Sequence, residues 1–249
     1  MSHWRYFMNI INKIFAHNWF AVVYFNFKML PFQQAIKLPF DFYRKIRFEN
    51  LSGMVTLKAG VIRRGMIKFG GRGSEMYGRG TTVIDLRGNA VFHGVTEIGH
   101  GSLLRIEEGA TTSFGNEVRF GAFTKIFCAQ TITFADEIDF SWECQIFDTN
   151  FHYVRNIKSG LIENLTGPVH IGSFNWFGNR VTIMKGTKTP DHFVCASNSL
   201  CNKNYLNFPQ YSVVGGYPAK LVAMGKQRVF ENLEDVAELD LPRFSGAAT

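Results

Sequence analysis

The chain has 249 residues, of which 46% are hydrophobic and 19% charged; these proportions are typical of a globular protein and exclude a disordered one. Its net charge of +7 is concentrated near the N-terminus, because residues 1–70 contain eleven Lys and Arg but only Asp41 and Glu49 as acids, a net +9. We see no recognisable nucleic-acid motif, so we expect no nucleic acid as a partner. The basic segment is either a solvated face or a surface that attracts anionic lipid headgroups or a phosphorylated substrate.

The N-terminal segment, residues 1–50, is basic and aromatic and shows no regular repeat. Its stretches NIINKIFAHNW and PFQQAIKLPFDFYRKIRF are typical of short helices or turns, with breaks at Pro31 and Pro39. The apolar stretch 19–25 is too short for a spanning helix or a signal peptide. We therefore expect a cytoplasmic protein, and the basic segment suggests peripheral association with the inner face of the membrane.

From about residue 80, apolar residues recur every six positions. The series are Leu86, Phe92, Ile98, Leu104 and Ala110; Phe114, Phe120, Ile126 and Ile132; Phe134, Phe140 and Ile146; and Ile171, Phe177, Ile183, Thr189, Cys195 and Cys201. A period of six fits neither an α-helix nor a hairpin meander. It predicts a β-helix whose coil has three short strands, each supplying one inward apolar residue followed by a small residue.

The four cysteines, Cys128, Cys144, Cys195 and Cys201, form no CxxC pair and show no metal-ligand spacing. In the predicted β-helix Cys195 and Cys201 point inward. We therefore interpret the cysteines as small buried core residues in a reduced chain.

The segment 171–222 resembles the closing coils of the hexapeptide-repeat acyltransferases, which form left-handed β-helices. NWFG (175–178) is similar to that family's Trp-containing coil, and GGYPAK (215–220) is similar to its final motif. The chain departs from the family at 189–190 and 195–196, where Thr-Pro and Cys-Ala stand in place of Ile-Gly and Val-Gly. The resemblance covers roughly residues 80–225.

The resemblance implies a mainly β protein, a left-handed parallel β-helix with short N-terminal and C-terminal helical segments. Residues 1–50 would form the helical or irregular N-terminal segment, and 51–224 the acyltransferase domain. Residues 225–249 would form a capping helix and tail that cover the open end of the stack.

The six-residue repeat breaks after Ile146. This break predicts that residues 148–169 form a loop that protrudes from the stack, and such loops are usually functional or disordered. In the resembling family such a loop carries the catalytic histidine, and the matching position is His152. A neutral imidazole accepts a proton from an attacking sugar hydroxyl and passes it to the departing thiolate. Asp148 or a backbone carbonyl would fix its tautomer. Asn150 would hydrogen-bond the acceptor or the thioester oxygen.

If His152 is not the base, His93, His100 and His170 are the remaining candidates, and His192 occupies a predicted turn. The γ-class carbonic anhydrases use the same β-helix with three histidines on zinc. Their paired ligands lie five positions apart, whereas His93 and His100 lie seven apart. We therefore expect no metal.

For the donor, the resemblance implies acetyl-CoA in a groove between adjacent subunits of a homotrimer. Trp176 would lie near the catalytic histidine, beside the acetyl or pantetheine portion. Backbone groups around Ala196 and Ser197 would hydrogen-bond the pantetheine amides, and Lys203 and Lys220 would bind nucleotide phosphates. A structural interpretation of two of these residues stays open. In it, Trp176 only packs against its neighbours, and Lys220 is a solvated residue at the end of the stack.

The sequence thus predicts an acetyl-CoA-dependent O-acetyltransferase that acts on a sugar of a surface polysaccharide or its lipid-linked precursor, by direct transfer without an acyl-enzyme. Amino-sugar N-acetylation, serine O-acetylation and a non-enzymatic β-helix scaffold are the alternatives. Serine acetyltransferases carry a larger N-terminal helical domain than residues 1–50 supply. Failure to bind coenzyme A would indicate the scaffold.

Overall fold

The computed structural model describes residues 17–71, 78 and 80–229. Within these residues the chain winds into successive coils, and its strands assemble into three sheets of nine, seven and five strands. Strands of neighbouring coils pair in parallel, and only the last pair, at the end of the first sheet, is antiparallel. This arrangement is a parallel β-helix.

The strands are numbered in chain order and fall into three sheets. Sheet 1 contains β1 (Phe40–Phe42), β4 (Ile67–Phe69), β7 (Thr96–Ile98), β10 (Val118–Phe120), β13 (Ile138–Phe140), β16 (Trp176–Phe177), β18 (Val194–Cys195), β20 (Val213–Gly216) and β21 (Ala219–Ala223). Sheet 2 contains β2 (Ile46–Leu51), β5 (Thr82–Leu86), β8 (Leu103–Ile106), β11 (Lys125–Cys128), β14 (Gln145–Phe147), β17 (Thr182–Ile183) and β19 (Leu200–Cys201). Sheet 3 contains β3 (Met54–Leu57), β6 (Asn89–Phe92), β9 (Thr111–Phe114), β12 (Thr131–Phe134) and β15 (Val169–Ile171).

The six-residue series predicts the inward positions correctly, since every member of the four series is at most 3% exposed. The four cysteines are buried, as expected, and each is a free thiol. The sulfurs of Cys195 and Cys201 lie 3.5 Å apart. The small residues at the corners let the coils approach closely. A Cβ at Gly121 would lie 2.6 Å from the carbonyl carbon of Ser141 in the next coil.

Phenylalanine rings form two ladders through the core. Phe92, Phe114 and Phe134 stack in sheet 3 with ring centroids 4.9 and 5.4 Å apart. Phe120, Phe140 and Phe177 stack in sheet 1 at 5.2 and 4.2 Å. The ladders meet edge to face, with the rings of Phe120 and Phe134 5.0 Å apart. Such geometries add about 0.5–1.5 kcal/mol per pair beyond the burial itself.

From residue 17 onward, two helices precede the coils, α1 (Trp19–Met29) and α2 (Phe32–Ala35). The side chain of Asn18 caps the N-terminus of α1 by accepting a hydrogen bond from the Ala21 N–H at 3.1 Å. On its buried face, Asn26 bonds to both backbone groups of Phe40. The ring of Phe25 lies 4.8 Å from that of Phe40. Helix α1 thus packs on the inward residues of the first coil.

The stack begins earlier than the expected boundary at residue 51, because β1 and β2 already pair with the second coil. Residues 40–42 and 46–51 are therefore strands, where helices or turns were expected. Their identity depends on pairing with β4 and β5, which is non-local, and the charges at 44–47 obscure the apolar spacing.

At the other end of the stack, GGYPAK forms the turn from β20 to β21. Residues 225–229 contain no helix or strand. Residues 230–249 lie outside the described residues, so the predicted capping helix stays a prediction, as does the structure of residues 1–16. Among the described residues, no helix is long and apolar enough to cross a bilayer.

Candidate active site

The predicted ejected loop leaves the stack after β14 and returns at β15, so it occupies residues 148–168 at the corner between sheets 2 and 3. Its two arms run antiparallel, with a bridge between Thr149 and Thr166 and a second one further out. From the next coil, Lys185 donates a hydrogen bond through Nζ to the carbonyl of Asn164. The loop is therefore a hairpin with a defined backbone, and we call it the 148–168 hairpin.

Asp148 is fully buried where the chain leaves the stack. Its carboxylate accepts hydrogen bonds at 2.7–2.8 Å from the backbone N–H groups of Ala129, Gln130 and Thr131. At other corners such N–H groups bond to carbonyls of the next coil, so the side chain replaces partners that the departing backbone cannot supply. Asp148 therefore supports the corner, and among the described residues it makes no hydrogen bond to His152.

Phe151 fastens the hairpin to the outer face of sheet 2. Its ring centroid lies 4.8 Å from that of Phe127 and 5.5 Å from that of Phe147, both in edge-to-face contact. The backbone turns sharply here, because Phe151 has a φ of +61°. Its N–H donates to the Thr149 hydroxyl at 3.0 Å. The guanidinium of Arg105 lies 5.2 Å from the Phe127 ring and covers the outer end of the cluster.

His152 follows this anchored residue directly and is exposed. Its ring makes no hydrogen bond within the described part of the chain, so both ring nitrogens are accessible to a substrate. Asn150 is half-buried, and its backbone N–H donates to the Leu165 carbonyl at 3.0 Å. A cleft of about 610 Å³ runs along the hairpin, lined in part by Gln130, Tyr153, Glu163 and Asn164. The catalytic roles of His152 and Asn150 stay predictions.

Trp176 lies on the outer face of sheet 1, at the end of a row of alternating charges. In register order the row is Asp41, Lys68, Glu97, Arg119, Asp139 and Trp176. Lys68 Nζ and Glu97 Oε1 pair within the row at 2.8 Å. Arg119 and Asp139 pair with residues outside it, Glu117 and Arg228. The indole is 37% exposed. Trp176 thus exposes apolar surface on the outer face of sheet 1, where the row of charged residues ends.

The four other expected coenzyme A residues are distributed over separate edges. Ala196 and Ser197 are exposed at the corner between sheets 1 and 2. Lys220 is exposed on β21 in sheet 1. Lys203 is exposed just after β19, so it lies at the corner from which the 148–168 hairpin departs, further along the stack.

The three sheets enclose a triangular core, so the corner between sheets 2 and 3 lies opposite sheet 1. The hairpin that carries His152 starts at that corner and packs on sheet 2, whereas Trp176 faces outward from sheet 1. Within one chain, the structure therefore does not bring these two residues together.

Three of the four other candidate histidines lie in structural surroundings. His100 is 1% exposed and packs against Phe123 at 5.2 Å, and burial together with the charge of Arg44 lowers its pKa. Burial, with a smaller effect of a nearby lysine, also lowers the pKa of His170 on β15. His192 lies in an aromatic stack at an outer corner, between Phe174 and Tyr211. His93 is exposed. In the described ranges, no three His, Cys, Asp or Glu side chains could hold a metal ion.

The chain is similar in sequence to a curated protein and in fold to solved structures. No protein-family model matches the chain. It is 27% identical over 179 residues to the protein named Probable acetyltransferase Rv3034c of Mycobacterium tuberculosis (strain ATCC 25618 / H37Rv), covering 71% of this chain and 56% of that protein. The chain therefore spans little more than half the length of this curated relative.

Among solved structures, the polySia-specific acetyltransferase NeuO aligns with a TM-score of 0.53 at 15% identity, over 78% of this chain and 80% of that one. The polysialic acid O-acetyltransferase OatWY aligns with a TM-score of 0.46 at 18% identity, over 79% of this chain and 98% of that one. The chain has the left-handed β-helix fold of the hexapeptide-repeat acetyltransferases.

On this acetyltransferase fold, the sequence predicted the position of the hairpin but missed the residues that hold it. Phe127 and Phe147 occupy outward positions on β11 and β14 and pair in register. They lie twenty positions apart in the chain, one coil of the stack. Two outward aromatic residues at coil spacing were the available signal, because outward positions elsewhere in sheet 2 are mostly polar or charged.

Proposed function

We propose that this protein is an acetyl-CoA-dependent O-acetyltransferase that acetylates a sugar hydroxyl of a surface polysaccharide or its precursor. The sugar oxygen attacks the thioester carbonyl while His152 accepts the hydroxyl proton. The carbon–sulfur bond then breaks, and His152 returns the proton to the departing thiolate of coenzyme A. The transfer is direct, and no acyl-enzyme forms.

The observation that carries this proposal is the exposed His152 on a hairpin that Phe151 anchors beside a cleft of about 610 Å³. A general base must reach the acceptor hydroxyl; the imidazole of His152 is exposed, and the next residue, Tyr153, lines this cleft. The named activity of the Mycobacterium tuberculosis relative supports acetyl transfer. The acetyltransferase fold supports it as well.

We propose that the complete site lies between subunits of a homotrimer. His152 and Trp176 face opposite sides of one chain, so a neighbouring copy has to contribute one of them if both serve the same site. Trp176 would then pack beside the acetyl or pantetheine portion. Ala196 and Ser197 would bind the pantetheine amides, and Lys203 and Lys220 the nucleotide phosphates.

For the acceptor, the proposal is a sugar or a lipid-linked oligosaccharide. The N-terminal net charge of +9 favours an anionic surface or acceptor, and we place the enzyme in the cytoplasm, peripheral at the inner face of the membrane. NeuO and OatWY are named for polysialic acid. An acceptor panel therefore includes sialic acid oligomers beside neutral and amino sugars.

The test is turnover of acetyl-CoA by the full chain, followed as thiol release, with coenzyme A binding measured by calorimetry. We expect His152→Ala to reduce turnover by about 10²–10⁴-fold while binding is retained. His93→Ala, an exposed histidine on another coil, is the matched control and keeps wild-type turnover. Unchanged turnover in His152→Ala would remove it as the base. A chain that neither turns over nor binds coenzyme A is a scaffold.

The subunit arrangement is tested in the same assay by mixing. Subunits carrying His152→Ala are unfolded and refolded together with subunits carrying Trp176→Ala. If the two residues meet across an interface, on the order of a quarter of the sites regain both wild-type side chains, and activity recovers in proportion. No recovery in mixed oligomers places both residues in one chain's site or removes Trp176 from it.

A further inference from the structure

Helix α1 is apolar on both sides. Ala21, Val22, Phe25 and Asn26 form its buried side. On the opposite side, Phe20, Val23, Tyr24 and Phe27 follow the i, i+3, i+4, i+7 spacing of one helical face and are 80%, 49%, 43% and 47% exposed. A helix on the surface of a globular protein normally presents charged or polar residues there. Packing on the first coil therefore does not explain the exposed apolar side of α1.

The exposed apolar side continues onto α2. The rings of Phe20 and Tyr24 stack at 6.1 Å, and the rings of Phe27 and Phe32 also lie 6.1 Å apart. Phe32 is 70% exposed and Ile36 55%. We call these six residues, Phe20, Val23, Tyr24, Phe27, Phe32 and Ile36, the aromatic surface. Contiguous exposed apolar patches of this kind mark interaction sites.

The segment that contains the aromatic surface, residues 17–71, carries many more cations than acids, although Lys68 is paired with Glu97 from a later coil. In residues 17–71 the cations are Lys28, Lys37, Arg44, Lys45, Arg47, Lys58, Arg63, Arg64 and Lys68. The two acids of this range are already engaged: Glu49 pairs with Arg47 at 2.6 Å, and Asp41, which is 7% exposed, accepts from His17 and Tyr43.

Two of these cations lie beside the start of α1. The guanidinium of Arg64 lies 5.1 Å from the Trp19 ring. Arg63 and Arg64 line a cleft of about 440 Å³ together with His17, Lys68 and Asp41. The Asp41 carboxylate in this cleft is already engaged by His17 and Tyr43. Neither arginine has a carboxylate within 4 Å among the described residues. The cleft can therefore accept an anion such as a lipid phosphate next to an exposed aromatic face.

We propose that the aromatic surface docks on the face of an anionic lipid bilayer, with its rings at the headgroup–acyl boundary and Lys and Arg of residues 17–71 against lipid phosphates. Aromatic side chains favour that boundary, and Lys and Arg near an anionic bilayer are attracted to it. The same charges repel a second copy of this surface, which favours lipid over a two-fold dimer formed through it. The proposal deepens the proposed function by giving it a lipid-linked acceptor at the membrane.

The experiment is cosedimentation of the full chain with vesicles, because it does not depend on acetyl transfer. We expect binding to phosphatidylcholine vesicles containing phosphatidylglycerol, weaker binding to pure phosphatidylcholine, and weakening as salt rises. The variant Phe20→Asp with Phe27→Asp should reduce binding to the anionic vesicles by about tenfold or more. Leu206→Asp, which replaces an apolar residue 52% exposed on a distant coil, is the matched control and should bind as wild type.

A variant with Arg63→Gln and Arg64→Gln isolates the cation contribution and should reduce the preference for anionic vesicles. Circular dichroism establishes that each variant is folded. A full chain that stays in solution with anionic vesicles at low salt overturns the proposal, as does a double Asp variant that binds like wild type. If instead the Asp variant changes the oligomeric state and the wild type ignores vesicles, the aromatic surface is an interface between copies.

Discussion

The coils and the 148–168 hairpin are built on different principles. In the coils, the inward side chains of the six-residue series are at most 3% exposed and each strand pairs with the strands of neighbouring coils. In the hairpin, Tyr153, Ile157 and Leu161 are 72%, 88% and 70% exposed, and the backbone bonds mostly join its own two arms. Stability therefore resides in the repeats, whereas the candidate base lies on a segment that contributes little to the core.

Two side chains connect these regions. Asp148 completes the corner that the departing chain leaves open, and Phe151 fixes the hairpin on sheet 2. Substitutions in the coils, at the junction and in the hairpin should consequently affect stability and turnover in different proportions.

The largest effect on stability is expected from Phe140→Ala, in the centre of the sheet 1 ladder. Phe140 is fully buried and stacks on Phe120 at 5.2 Å and on Phe177 at 4.2 Å. Removing a buried ring costs about 3–5 kcal/mol, so the urea unfolding midpoint should fall markedly. Phe32→Ala, at a 70% exposed ring outside the coils, is the control. Equal losses in both variants would contradict the division between coil and surface.

An intermediate effect is expected from Asp148→Ala, at the junction. The change leaves three backbone N–H groups of the preceding coil without their acceptor, and hydrogen bonds to a charged group contribute about 1.5–3 kcal/mol each. We expect a lower free energy of unfolding, measured in urea, by at least one such bond. Asn150→Ala is the control of similar position. Loss of turnover with unchanged stability would instead restore Asp148 as a partner of His152.

The sequence predicts the coils well because their rule is local. Phe134, Phe140 and Ile146 reveal their inward orientation by spacing alone, since each step of six residues reaches the equivalent position on the next sheet. The first coil was missed because β1 and β2 are defined by strands that follow them in the chain.

The candidate site is less predictable because it depends on stacking between coils. Asp148 bonds to residues 17–19 positions earlier, and only the register of the coils brings them together. The expectation that Trp176 lies near His152 comes from a motif resemblance. The motif does not specify which side of the β-helix each residue faces. Within one chain, the order of the strands places the two residues on different sides of the β-helix. A local sequence pattern carries no information about how a second subunit is placed.

The smallest effect on stability, but a specific one on turnover, is expected from Phe151→Ala. The ring is 46% exposed, so its loss should cost less than about 1 kcal/mol of unfolding free energy. The Phe151 ring nevertheless holds the hairpin in place next to His152. Displacement of a catalytic group by about 1 Å can lower the rate by up to 10²-fold. We expect kcat to fall about tenfold with KM for acetyl-CoA little changed, and Phe151→Leu to recover part of the rate. Ile157→Ala, at a hairpin residue that is 88% exposed and does not line the cleft, is the control and should retain the rate. If Phe151→Ala turns over like wild type, the contacts with Phe127 and Phe147 do not position the base, and the hairpin has to be ordered by the neighbouring subunit instead.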